Sequence, residues 1–99
     1  MSAYFIADQQ GVSDPETMKI YAAGVVATIE QYGGKFVVRG GNPETIEGNW
    51  PANRIIMIEF ADRAALMAWY DSPEYADLKA MRIASSNGNI IAVDGARWS

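Results

Sequence analysis

The sequence predicts an α+β domain in which four short strands and two helical units follow one another as β-α-β-β-α-β. Three observations carry this. Met18, Tyr21, Ala22, Val25, Ile29 and Tyr32 recur at spacings of three and four, which places them on one stripe of a helix. Four runs of β-forming residues lie at 3–9, 35–39, 54–60 and 89–94. The segment Asp71-Ser72-Pro73-Glu74 interrupts a second helical stretch and restarts it, so the second α unit is split in two.

Each element has its own local reason. Residues 3–9 (AYFIADQ) are rich in β-formers and read as the first strand. Asp14 supplies a cap for the first helix, and Pro15 suits the first helical position, where an N–H would go unbonded. Gly33-Gly34 ends that helix by providing a residue free to take positive φ. Residues 35–39 (KFVVR) form the second strand, and 54–60 (RIIMIEF) the third. Between them, 40–53 (GGNPETIEGNWPAN) is dense in Gly, Pro and Asn and reads as a long loop. Asp62 caps a helix carrying Leu66, Trp69 and Tyr70, and Ser72-Pro73 starts the next, with Tyr75, Leu78, Met81 and Arg82. Asn87-Gly88 is expected to end it, leaving 89–94 (NIIAVD) as the last strand. This order is the split βαβ pattern of ferredoxin-like folds with a four-stranded antiparallel sheet.

Composition narrows the chemistry. The 99 residues suit a single domain spanning 1–99. A net charge of −4 without a basic stripe argues against nucleic acid and anionic membrane surfaces as partners. Cysteine and histidine are both absent, so zinc sites, iron–sulfur clusters, histidine-ligated haem, disulfides and histidine-based triads have no ligands or bases here. No cofactor and no metal site are expected, and no EF-hand spacing occurs. The N-terminus lacks a signal-peptide pattern and no apolar run approaches membrane-spanning length, so a cytoplasmic location is expected.

A sheet covered by helices on one face should alternate apolar and polar residues. This one does not. Ile56, Ile58 and Phe60 share one face, but Ile55 and Met57 precede Glu59 on the other. Ile91 and Val93 oppose Ile90 and Ala92, and Tyr4 and Ile6 oppose Phe5 and Ala7. A second copy of the chain is the simplest cover for the second face, burying apolar area at about 25 cal/mol per Å². A homodimer is therefore expected. The same alternation puts Val37 and Arg39 on the second face with Glu59, which suggests an apolar cavity there with convergent charges, suited to a small-molecule ligand.

The stretch from Tyr32 to Gly41 (YGGKFVVRGG), with Glu47-Gly48, Arg54, Ile58-Glu59-Phe60 and the run from Trp69 to Tyr75 (WYDSPEY), resembles the bacterial domain-of-unknown-function family 1330 (DUF1330) over nearly the whole chain. The resemblance implies a dimeric α+β barrel, a ferredoxin-like protomer whose sheet packs against its twin. It implies no settled activity. Relatives in fold include cofactor-free monooxygenases, lactone isomerases and haem enzymes, and the missing histidine speaks against the last.

The candidate site residues follow. Arg39 is suited to hold a carboxylate through its planar fork, with Glu59 as a base; the competing role is a cross-strand or intersubunit ion pair. Trp69, Tyr70 and Tyr75 would line a cavity, with Tyr70 as a proton donor, although aromatics at helical spacing also build cores. Tyr21 and Arg82 would project from helices into the pocket, or snorkel from packed positions. Glu47 and Trp50, with Glu44, would form a lid from the long loop. Ser72 has no base to make it a nucleophile and reads as a cap. Gly40-Gly41-Asn42-Pro43 lacks the Lys-Ser/Thr of a phosphate loop. The tail 96–99 (ARWS) reads as an arm on the partner or a frayed end. Together these residues suggest a cofactor-independent enzyme acting on a small organic acid or aromatic molecule; a non-catalytic binding module or a purely structural dimer is the alternative.

Overall fold

The structure, a computed structural model, describes residues 1–96; Arg97, Trp98 and Ser99, which hold most of the C-terminal tail, lie outside the described residues. Strand β1 (Ala3–Val12) leads to helix α1 (Pro15–Gln31), strands β2 (Lys35–Gly40) and β3 (Arg54–Phe60), helices α2 (Arg63–Tyr70) and α3 (Pro73–Ser85), and strand β4 (Ser86–Asp94). The strands form one antiparallel sheet in the order β2-β3-β1-β4. This is the ferredoxin-like arrangement, with the helices on one face.

The three expected caps are in place. Asp14 accepts from the Thr17 amide at 3.3 Å and its hydroxyl at 2.6 Å. Asp62 accepts from the Ala65 amide at 2.8 Å, and Ser72 Oγ from the Tyr75 amide at 3.2 Å. Each satisfies a donor that the first turn of its helix leaves open. At the C-terminus of α1, Gly33 takes φ +80° and lets the Gly34 amide return to the Ile29 carbonyl at 2.9 Å.

Two boundaries differ from expectation. β1 runs on to Val12, and α3 passes into β4 without a turn, because Val12, Gly11 and Gln9 pair with Ser86, Asn87 and Gly88. Gly88 is thus a strand residue and not a helix terminator. A Cβ there would stand 2.1 Å from the Asp8 carbonyl oxygen, so the neighbouring strand excludes any side chain.

A third difference matters for function. β2 carries a bulge: Phe36 pairs with Ile58 and Val38 with Met57, leaving Val37 as the extra residue. The bulge reverses the alternation after it. Arg39 pairs with Ile56 and faces the helices, whereas Glu59 pairs with Tyr4 and Lys35 on the opposite face. The expected Arg39–Glu59 pair does not form, because one inserted residue moves everything beyond it to the other side of the sheet.

The core is built at one end of the helix–sheet interface. Phe5, Ile58 and Phe60 from the sheet meet Val25 and Ile29 of α1, Leu66 and Trp69 of α2 and Tyr75 of α3, all buried. Trp69 is its centre. Its ring stacks on Tyr75 at 4.2 Å between centroids and lies within 5.5 Å of Phe5 and Phe60. Its indole N–H donates to Thr28 Oγ1 at 3.1 Å, so its one polar atom is satisfied internally. No helix among the described residues is long and apolar enough to cross a membrane.

Candidate functional site

The side chains that fill the interface shrink or turn polar toward its other end. On β1 the helix-facing residues run Ala3, Phe5, Ala7, Gln9; on β3 they run Phe60, Ile58, Ile56, Arg54. The first members are buried and the last are not. The result is a cavity of about 280 Å³ between the sheet and the facing ends of α1 and α3. That volume is at the small end of ligand sites, enough for a one-ring molecule.

The walls are apolar: Phe5, Ala7, Phe36, Ile56 and Ile90 from the sheet, with Met18, Val25 and Ile83 from the helices. Three of the chain's eight Lys and Arg residues, Arg39, Arg54 and Arg82, also line it. Arg39 is delivered there by the bulge, and its guanidinium lies 4.5 Å from the Phe36 ring centroid. The one acidic residue at the wall is Asp8, whose side chain belongs to the opposite face; its carboxylate receives Gln10 Nε2 at 2.7 Å and the Trp50 indole at 2.8 Å. The cavity is therefore electropositive within an acidic chain.

At the inner wall sits a hydrogen-bonded cluster. The Tyr21 and Tyr75 hydroxyls are 2.9 Å apart, and Arg82 Nε donates to Tyr75 Oη at 3.2 Å. Burial, and then Tyr75, push the Tyr21 phenol far above its ordinary range, so it stays a neutral hydroxyl at any physiological pH. Arg82 Nη2 is buried without a hydrogen-bond partner.

The expected site residues thus divide among three places. Tyr21, Arg39 and Arg82 line the cavity; Tyr75 does not, and its hydroxyl bonds to Tyr21 and Arg82 from behind the wall. Trp69 is in the closed core, and Tyr70 lies beside it under the Lys79 ammonium, 4.3 Å from the ring centroid; neither lines the cavity. Glu59, Glu47 and Trp50 are on the far face. Glu59 receives Tyr4 Oη at 3.3 Å and faces Lys35 Nζ at 3.4 Å. Hydrogen bonding from Ser2, with Lys35 and Tyr4, holds its carboxyl below the usual carboxylate range, which suits an ion pair better than a base. Glu47 and Trp50 border a groove with Pro43, Ile46 and Ile55, so the long loop lies beside the Ile55 end of the far face and not over the cavity.

Arg54 was missed by sequence reasoning, although its signal was present. It occupies the position before Ile56, Ile58 and Phe60 in the alternating stripe, where a charge on an apolar face marks a site or a sheet end. Among the described residues no group of three or more His, Cys, Asp or Glu side chains is placed to hold a metal ion.

The fold and the electropositive cavity define a ferredoxin-like α+β protein with a small internal pocket on the helix side of its sheet. The chain belongs to the domain of unknown function family DUF1330, whose profile matches residues 2–96. No curated protein matches it. Among solved structures, a protein of unknown function from Rhodopseudomonas palustris superposes with a TM-score of 0.76 at 16% identity, covering 97% of this chain and 83% of that one. SnoaB, a cofactor-independent oxygenase from Streptomyces nogalater, gives 0.64 at 14% identity, covering 97% and 94%. A dimeric ferredoxin-like protein of unknown function from a Jannaschia species gives 0.63 at 18%, covering 97% and 99%. Identities this low establish a shared fold.

Proposed function

We propose that the protein is a cofactor-independent enzyme acting on a small organic acid or aromatic molecule held between its sheet and helices, and that it works as a homodimer. The observation that carries the reading is the cavity itself: apolar walls sized for one ring, with three guanidinium groups and no available carboxylate. An anionic ring compound meets both needs, burying its ring against Phe36 and Ile56 while its charge faces the arginines. The chemistry this supports is stabilisation of negative charge that develops on a substrate oxygen, since the phenol and guanidinium groups are donors fixed before the substrate arrives. SnoaB, a cofactor-independent oxygenase that shares the fold, supports a reading without a cofactor.

The dimer follows from the far face. Tyr4, Ile6, Ile55, Met57, Ile91 and Val93 lie there in register, uncovered by helices. Ile91 keeps 56% of its surface exposed, an arrangement that pairing with a second sheet would relieve.

A cavity-filling change tests the site. Ala7→Leu places a larger side chain on the cavity floor, in space that is otherwise empty. Saturable binding of benzoate, read by calorimetry, is expected in the unaltered protein and absent in the variant. Equal response in both would place the ligand elsewhere. Turnover is then sought by mass spectrometry of candidate acids incubated without added cofactor, with the filled variant as control.

A further inference from the structure

Donor accounting in the Tyr21–Tyr75–Arg82 cluster goes one step beyond the proposed site, on which it rests. Tyr75 is fully buried. Its oxygen already accepts the Arg82 Nε proton, and its own O–H must point to an acceptor. The acceptor recorded within reach among the described residues is Tyr21 Oη, at 2.9 Å. With Tyr75 as the donor of the hydroxyl pair, which satisfies its buried O–H, the chain of bonds runs from Arg82 Nε–H to Tyr75 O–H to Tyr21. Tyr21 Oη receives a proton from inside and has its own O–H left over at the cavity wall.

Arg82 adds a second uncommitted donor. Its Nη2 is buried without an acceptor, an unfavourable state for a charged group. Neither donor can be matched from within, because Asp8, the one acid at the wall, is held by Gln10 and Trp50 on the far face. The lining also provides no base to remove a proton from a ligand.

We propose that the cavity selects planar one-ring ligands in their oxyanion form, as an aryl carboxylate, phenolate or enolate, whose oxygen accepts the Tyr21 O–H and draws the Arg82 guanidinium round to it. The site then needs no base of its own. It lowers the pKa of an acidic substrate by binding the conjugate base more tightly, and the released proton leaves to solvent. Each charge-assisted bond strengthens along the chain, since Tyr75 and Arg82 polarise the Tyr21 hydroxyl toward the ligand. That Tyr21 resists ionisation keeps the donor present across the working pH range.

The test uses 4-nitrophenol, whose phenolate absorbs in the visible and so reports its own ionisation when bound. The bound pKa is compared among the unaltered protein, Tyr21→Phe and Arg82→Met, each checked for folding by circular dichroism. An anion preference of about tenfold, seen as a fall of about one unit in the bound pKa, is expected in the unaltered protein. Tyr21→Phe should abolish most of that fall while still binding the ring; if Arg82→Met does not fold, Tyr21→Phe alone decides. Binding with an unchanged or raised pKa would overturn the oxyanion inference and leave the pocket standing as a site. Absence of binding at millimolar 4-nitrophenol would overturn both.

Discussion

The two ends of the helix–sheet interface share the sheet and helices α1 and α3, yet one is a core and the other a pocket. At the closed end Trp69, Tyr75, Phe60 and Phe5 are packed ring against ring, and the side-chain polar atoms of Trp69 and Thr28 are bonded internally. At the open end the sheet presents Ala7, Ile56 and Ile90, with Arg39 and Arg54 beside them and no α2 residue over them. The difference lies in α2, whose Leu66 and Trp69 cover the closed end alone, and in the β2 bulge that turns Arg39 toward the open one. Tyr75 belongs to both ends: its ring completes the stack and its hydroxyl joins the cavity cluster. The rigid end thereby fixes the donor groups of the other, as a preorganised site requires.

The comparison can be broken from the closed end first. Trp69→Ala should remove about 3–5 kcal/mol from the unfolding free energy, measured in urea, because it leaves a large void and removes the indole N–H that donates to Thr28 Oγ1. A loss below about 1 kcal/mol would mean that the core collapses readily and that the two ends are not distinct. Arg54→Met at the open end should do the reverse. Binding of benzoate should weaken by about tenfold, read by calorimetry, while stability stays within about 0.5 kcal/mol.

The far face offers a third contrast, since it is argued to be neither core nor pocket. Ile91→Arg should convert the proposed dimer to monomer in sedimentation velocity, with the far-ultraviolet spectrum retained. An unchanged sedimentation coefficient would mean that the pairing surface lies elsewhere.

Acid provides the smallest effect. Thr17, through its hydroxyl and amide, holds Asp14 below its ordinary value, and Ser2, Lys35 and Tyr4 do the same for Glu59. In both cases the folded-state pKa lies below that of the unfolded chain. Their stabilisation is therefore complete above about pH 4 and is lost as pH falls through the lowered folded values. The doubly altered Asp14→Asn, Glu59→Gln protein should show a flatter decline of melting temperature between neutral and acidic pH.

Much of this architecture was legible in the sequence because local chemistry and global fold agree. Asp14-Pro15, Asp62 and Ser72-Pro73 are helix starts on any backbone that needs one, and the structure uses all of them. The site was less legible. Strict alternation put Arg39 beside Glu59, and a single bulged residue, Val37, separated them. Nothing in KFVVR announces a bulge, since two adjacent valines fit a regular strand equally well. Tyr21 and Arg82 were found from helical spacing, but their meeting through Tyr75 depends on how α1 and α3 pack, which periodicity does not encode. Arg54 is legible only as a charge at the end of an apolar stripe, a pattern that a strand terminus and a cavity wall share.

The most direct test of where a ligand enters uses the isoleucines, which alternate between the two faces. Ile56 and Ile90 point to the cavity, while Ile55 and Ile91 point to the far face one residue away. Methyl-labelled protein titrated with benzoate and followed by carbon–proton correlation spectroscopy should shift Ile56, Ile83 and Ile90 and leave Ile6, Ile55 and Ile91 in place. Shifts confined to Ile55 and Ile91 would contradict the account and move the site to the opposite side of the sheet.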